Sequence, residues 1–155
     1  MADKPVRPWT PTEERLGSFF IKAMSAANTW MYRLTGGWLG GTFLRGAPIC
    51  LVTVTGRKSG RAFTIPLLYL ADGADVVIVA SKGGMSKHPV WYLNLEANPR
   101  CEVEQGRTRR TMIARRVGKD EKAALWPRLC AMYPDYADYQ RRTTRDIPVV
   151  RLSPA

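Results

Sequence analysis

Residues 49–70 read ICLVTVTGRKSGRAFTIPLLYL. Two runs rich in Val, Ile, Leu and Thr, Ile49 to Thr55 and Phe63 to Leu70, flank a loop with two glycines and the cations Arg57, Lys58 and Arg61. Runs of this kind form strands. Pro66 places the second run at a sheet edge or a bulge, because proline cannot donate to a ladder. Ala71-Asp72-Gly73-Ala74 is a hairpin turn into a third strand, Val76 to Ser81. The pattern then recurs: VVIVA is followed by Lys82, Gly83, Gly84 and Lys87, and His88-Pro89 opens a short helix to Ala97.

Further out, Cys101 to Gln105 and Thr108 to Val117 alternate as a second hairpin around Gly106. A helix starts near Asp120, with Pro127 beginning a new turn or a kink. Tyr133 to Arg142 is helix or tight turn, and Ile147 to Leu152 a last strand. Toward the N-terminus, Thr10-Pro11-Thr12-Glu13 is a capping box that opens a helix over 10–35. Its apolar stripe runs through Leu16, Phe19, Phe20, Met24, Trp30, Met31 and Leu34. Residues 1–9 form a polar, proline-rich mobile arm. Antiparallel hairpins with short helices between them predict one α+β domain, mainly β, built on a small barrel.

Lys and Arg number 24 against 13 acids, a net charge of +11. That field favours an anionic partner: nucleic acid, an acidic membrane, or a phosphorylated or carboxylated ligand. RTRRTMIARR, residues 107–116, alternates as a half-exposed strand does, and no nucleic-acid motif is present. Cys50, Cys101 and Cys130 are spread apart, which reads as a reducing, intracellular setting without a disulfide framework. The N-terminus lacks the apolar core of a signal peptide, and no apolar run approaches the ~20 residues of a membrane span.

Glycine turns flanked by Lys and Arg can form anion-binding concavities. GRKSGR lacks the spacing of a nucleotide-triphosphate loop. Tyr133, Tyr136 and Tyr139, three apart, share one face if helical, and their phenols can donate to a reacting oxygen, stack on a ring or simply pack. Ser81 ends a strand where its hydroxyl can face a ligand. His88 is the only histidine, so a typical zinc site is excluded; beside Pro89 it serves equally as a helix cap. The acids form no pair suited to hydrolysis or metal binding.

With these residues laid out, the chain resembles the deazaflavin-dependent nitroreductase family, whose members use coenzyme F-420. The resemblance runs through FFIKAMSAANTWMYRL, GGTF, VTVTGRKSGRAFTIPLLYL, VIVASKGGMSKHPVWYLNLEANP, WPRLCAMYPDYADYQ and IPVVRL. It implies a split β-barrel of the kind that binds FMN or deazaflavins. It also implies hydride transfer from reduced coenzyme F-420 to a quinone, an enone or a nitroarene, nitroreduction being incidental. By the same resemblance Arg57, Lys58 and Ser59 meet the cofactor's phosphate and glutamate tail. Phe63, Thr64, Ile65, Pro66, Leu67 and Leu68 run along the cofactor. Val79, Ala80, Ser81 and Lys82 line its ring and ribityl chain, and Val90, Trp91, Tyr92, Leu93 and Asn94 complete the pocket. Ser81, Tyr133, Tyr136 and Tyr139 are the implied catalytic groups, with Tyr136 also touching the cofactor.

Many relatives carry a proline and a basic residue where this chain has Ala62-Phe63, which removes one charge contact to the tail and leaves Arg61 and Lys87 to replace it. The resemblance further implies a cytoplasmic enzyme, peripheral on the inner face of the plasma membrane, with no nucleic-acid partner. Two other readings of the residues stay open: an FMN-dependent barrel reductase, and a non-catalytic cofactor carrier or anionic-surface module.

Overall fold

The computed structural model describes residues 6–42 and 46–155. Half of the expected N-terminal arm and the end of GGTF lie outside the described residues. Helix α1 (Pro11–Thr35) starts at the capping box: Glu13 N donates to Thr10 Oγ1 at 3.3 Å and Thr10 N to Glu13 Oε2 at 2.8 Å. It ends at Gly36, whose left-handed φ of 63° directs Gly37 N onto Tyr32 O.

Seven strands follow, all paired antiparallel: β1 (Ile49–Thr55), β2 (Ala62–Leu68), β3 (Leu70–Asp72), β4 (Asp75–Val79), β5 (Arg100–Gln105), β6 (Thr108–Arg116) and β7 (Val149–Pro154). Their order is β2-β1-β5-β6-β7-β4-β3. β2 and β3 therefore occupy opposite edges, yet only Tyr69 separates them in sequence. Only a strongly curled sheet brings its two edges within one residue, so the sheet is a nearly closed barrel. Pro66 lies on the edge strand in unbroken register opposite Leu51, so the expected edge position is met and no bulge is needed.

The single expected strand Phe63 to Leu70 is two, broken at Tyr69 where the chain crosses between edges. Short helices fill the gaps: α2 (Val90–Ala97), α3 (Lys119–Met132) and α4 (Asp135–Arg142). α3 continues through Pro127 to Met132 instead of restarting there.

Alternation along the strands makes two apolar clusters. Val52, Val54, Ile78, Val103, Met112 and Leu152 fill the barrel with Tyr92 and Leu95 of α2. Val77, Val79 and Val149 face outward against Leu125, Leu129, Tyr133 and Tyr136 of the α3–α4 region. α1 covers another part of the outer surface through Tyr32, which packs on Ile49, Leu51 and Leu68.

Candidate active site

The loop after β1 is closed by its own backbone. Gly56 N donates to Arg61 O and Gly60 N to Gly56 O, both at 2.8 Å. A Cβ on Gly56 would lie 2.6 Å from the Phe63 ring, so a larger residue there would push that exposed ring aside. Asn94 of α2, 4 % exposed, anchors the loop: its Oδ1 accepts from Arg57 N and Arg57 Nη1, both at 3.1 Å. Lys58, Ser59 and Arg61 remain exposed around the turn.

The second glycine turn follows β4. Val79 and Ala80 are buried on opposite faces, in the outer and inner clusters respectively. Their side chains are core, and the chain first becomes accessible at Ser81. Ser81 is right-handed (φ −75°, ψ −41°), whereas Lys82, Gly83 and Gly84 have φ of 44°, 61° and 75°. Burial lowers the pKa of the Lys82 ammonium. Gly84 is the point of closest packing: a Cβ there would sit 2.5 Å from Tyr139 O.

α1 latches onto this turn. Trp9 Nε1 donates to Gly83 O at 2.7 Å, and Ser86 N and Oγ donate to the Glu14 carboxylate at 2.7 and 2.9 Å. The Arg142 guanidinium stacks 4.6 Å over the Trp9 ring.

The three tyrosines do not share one helix. Tyr133 caps the C-terminus of α3, and only Tyr136 and Tyr139 lie on α4, because Pro134 separates the helices. Their rings still cluster, with centroids 5.1 to 6.3 Å apart. Tyr133 and Tyr136 are buried, which raises the pKa of both phenols. Tyr139 is half-buried, with its hydroxyl 3.2 Å from that of Tyr133.

The candidate cofactor strand is likewise divided. Ile65 and Leu67 pack into the barrel, while Thr64 pairs with Thr53 Oγ1 at 2.8 Å and Leu68 packs under Tyr32 on the α1 side. On α2, Val90 is exposed and Trp91 and Leu93 half-buried, but Tyr92 is buried and donates to Glu96 at 2.5 Å.

Two features were not read from the sequence. The first is Arg145, between α4 and β7. Its Nε donates to Met85 O at 3.1 Å, Nη1 to Ala80 O at 3.1 Å, Nη2 to Ser81 O at 2.8 Å, and Nη1 also contacts His88 Nδ1 at 2.9 Å. Nothing in the local sequence marks it, since all its partners are more than fifty residues away. The second is the orientation of α1. Glu14, Gly17, Ser18, Ser25, Asn28, Thr29 and Tyr32 form its inward side, while Leu16, Phe19, Phe20, Met24, Trp30 and Leu34 are 58–69 % exposed. Between α1 and β2 lies a cleft of about 410 Å3 lined by Ala26, Thr29, Trp30, Arg33, Leu34 and Thr64.

Apart from Glu14, which sits on the second turn through Ser86, several acids are engaged away from the turns. Arg151 holds Asp72, Asp75 and Glu121; Arg33 and Arg109 hold Glu104; Arg116 and Lys122 hold Asp146. Among the described residues, Lys58, Arg61 and Lys87 of the two glycine turns have no ion-pair partner, and neither do the exposed Arg15, Lys22, Arg100, Arg107 and Lys119 elsewhere on the surface. Among those residues no His, Cys, Asp and Glu cluster could hold a metal ion. Unpaired cations around glycine turns fit a ligand that carries both a phosphate and carboxylates.

Comparison with known proteins decides the family. Residues 24–154 match the model of the F-420H2-dependent quinone reductase family. The chain belongs to this family. It is 41 % identical over 116 residues to a putative F-420H2-dependent quinone reductase, Rv3178, of Mycobacterium tuberculosis, covering 75 % of this chain and 98 % of the relative. It is 39 % identical over 126 residues to the F-420H2-dependent quinone reductase Rv1261c of the same organism, covering 79 % and 85 %. A solved F-420-H2-dependent reductase superposes with a TM-score of 0.64 at 40 % identity, over 68 % of this chain and 94 % of that one. The F-420H2-dependent quinone reductase fold is thus a split β-barrel, and coenzyme F-420 is the family's cofactor. The α+β expectation, the oxidoreductase class and the cofactor all hold.

Proposed function

We propose that the protein reduces a membrane-borne quinone at a site between the two cationic glycine turns, with α2, α4 and the edge of β2 as its walls. The observation that carries this reading is the pair of glycine turns whose cations Lys58, Arg61 and Lys87 have no ion-pair partner among the described residues. When bound, the reduced cofactor supplies a hydride. Arg57, Lys58 and Ser59 hold its phosphate and glutamate tail, and Arg61 and Lys87 supply the charge missing at Ala62-Phe63.

The accessible residues of the implied set, Thr64, Pro66, Ser81, Lys82, Val90 and Trp91, meet the ring and its chain. The buried ones, Val79, Ala80, Tyr92 and Asn94, support those from behind. As an acceptor gains hydride, negative charge grows on its oxygen, and hydrogen-bond donors fixed in advance stabilise it. Ser81 and Tyr139 donate to that oxygen, and the hydroxyl contact of Tyr139 with Tyr133 supports this reading. Tyr136, buried against Tyr133, holds the cluster in place. The Tyr133 phenol, raised above its ordinary pKa by burial, stays protonated at neutral pH and acts as a donor, not a base.

Enones and nitroarenes build the same oxyanion character, so the same donors accept them as incidental substrates. Tyr139→Phe therefore lowers kcat on a quinone, with cofactor affinity nearly unchanged; about 3 kcal/mol of barrier is the scale for such a donor. The double variant Arg57→Ala, Lys58→Ala weakens cofactor binding, and weakens it less as the glutamate tail is shortened. Titration by cofactor fluorescence checks this, and equal loss for tailed and tailless cofactor would remove the tail from this loop.

The outward apolar face of α1, with Arg15 and Lys22 beside it, supports peripheral attachment to an anionic membrane from the cytoplasmic side. Among the described residues no helix is long and apolar enough to cross a membrane.

A further inference from the structure

The geometry points to Arg145 as the positioning residue that fixes the Ser81–Gly83 turn for catalysis, although it belongs to no recognised motif. This inference rests on the proposed placement of the cofactor ring at Ser81.

Arg145 is a part-buried cation with no carboxylate partner among the described residues. Its guanidinium is satisfied by three backbone carbonyls and one imidazole nitrogen. A buried charge without a counter-ion is costly, and carbonyl dipoles compensate it only when they are turned toward it. Three are: Ala80 O, Ser81 O and Met85 O come from the start and end of one turn. The guanidinium fork thus sets both ends of the turn at once, as a single ammonium cannot.

What it holds is not a relaxed conformation. Lys82 has a φ of 44°, and two glycines continue the left-handed path. A non-glycine residue there is strained, and such strain persists only where the surroundings impose it. A right-handed Ser81 followed by a left-handed Lys82 also converges successive N–H groups into an anion-accepting concavity. With its carbonyls drawn back onto Arg145, the turn offers donors fixed in advance to negative charge forming in front of Ser81. The Arg145 contact also assigns the His88 tautomer: Nδ1 accepts, so the proton is on Nε2 and the ring is neutral.

The test compares wild type, Arg145→Met and Arg145→Lys as full chains. Four quantities are read: cofactor affinity, kcat and KM with menadione, thermal midpoint, and the NMR titration of the only histidine. In Arg145→Met we expect kcat to fall about tenfold or more while cofactor affinity and quinone KM shift less than about threefold, the scale of a misplaced reacting group. The His88 titration should move up toward the ordinary histidine value as the guanidinium leaves. Arg145→Lys keeps the charge and loses the fork, so it should recover only part of kcat.

A merely structural role would lower the thermal midpoint and the folded fraction and leave kcat per bound cofactor unchanged. A kcat in Arg145→Met within twofold of wild type overturns the inference. If Arg145→Met does not fold, Arg145→Lys with wild-type kcat overturns it equally. Ser81→Ala is the control on the underlying reading. If it too leaves kcat and affinity unchanged, the ring is not at Ser81; if it is impaired while Arg145→Met is not, only the role of Arg145 fails.

Discussion

Asn94 and His88 each do work that their residue type alone does not announce. The Asn94 amide oxygen is the common acceptor for the backbone and the guanidinium of Arg57. Asn94→Ala removes the acceptor from both donors, and because Arg57 is exposed and water can replace it, the loss should be about 0.5–1.5 kcal/mol in a urea titration. The same change should weaken cofactor binding through the loosened loop. Asn94→Asp separates the two effects: it keeps an acceptor for Arg57 but adds a negative charge beside the anion site, so stability should recover further than affinity. His88 packs on the Tyr92 ring at 5.1 Å, with Arg145, Arg116, Glu96 and Asp146 as its charged surroundings. Burial first, and then the Arg145 charge, lower its pKa below the usual 6.5. The unfolded chain then binds the extra proton more readily. The stability from this residue is complete above about pH 6.5 and is lost as pH falls from there through the folded-state pKa. Thermal midpoints at about pH 7.5 and about pH 5.5 should differ less in His88→Gln than in wild type. The resemblance put Asn94 at the pocket. Its anchoring role was not legible, because that depends on how α2 sits against a loop thirty-seven residues earlier.

The strands were legible and the helix faces were not, for a physical reason. β1 and β4 carry runs whose side chains are buried on both sides of the sheet, so composition alone marks them, and β6 is marked by its alternation. The helical stripe on α1 is a periodicity, and periodicity has no sign: it marks a face without saying whether protein or something else meets it. The structure turns the stripe outward. The tyrosine spacing misled similarly, since Pro134 breaks the helix while the rings still converge. Glycines offer a sharper test of element packing. Gly73 in the β3–β4 turn and Gly84 before α4 both have positive φ, 64° and 75°. A Cβ on Gly73 meets nothing within 4 Å, whereas on Gly84 it would meet Tyr139 O at 2.5 Å. Gly73→Ala should cost only the conformational penalty, about 1–2 kcal/mol. Gly84→Ala should cost clearly more, and should also lower quinone turnover, because relieving the clash moves α4 and its tyrosines. Equal loss of stability in the two variants would show that α4 does not depend on this close approach.

Considered together, α1 joins the site to whatever covers its outer face. Its inner face is polar and fastened at both ends, to Gly83 and Ser86 near the start and to Glu104 and Gly106 through Tyr32 near the end. Its outer face presents Phe19, Phe20 and Trp30 to solvent at 63–69 % exposure. A globular protein usually arranges a helix the other way, and a contiguous apolar stripe of this kind marks an interaction surface. Burial of three large side chains in a lipid interface contributes roughly 1.5–3 kcal/mol each at most. Attraction between anionic headgroups and a chain of net charge +11 adds to that and is screened by salt. Removing α1 altogether would also remove the latch on the Ser81 turn, so deletion confuses membrane binding with site assembly. Substitution on the outer face avoids this. The triple variant Phe19→Ser, Phe20→Ser, Trp30→Ser should keep its thermal midpoint and its cofactor affinity, and should turn over a water-soluble quinone at the wild-type rate. It should lose co-sedimentation with anionic phospholipid vesicles and slow only with a quinone embedded in them. Wild-type sedimentation should in turn decline as salt rises. If wild type and variant sediment alike, or neither does at low salt, the stripe meets something other than lipid and the quinone reaches the site between the glycine turns from solution.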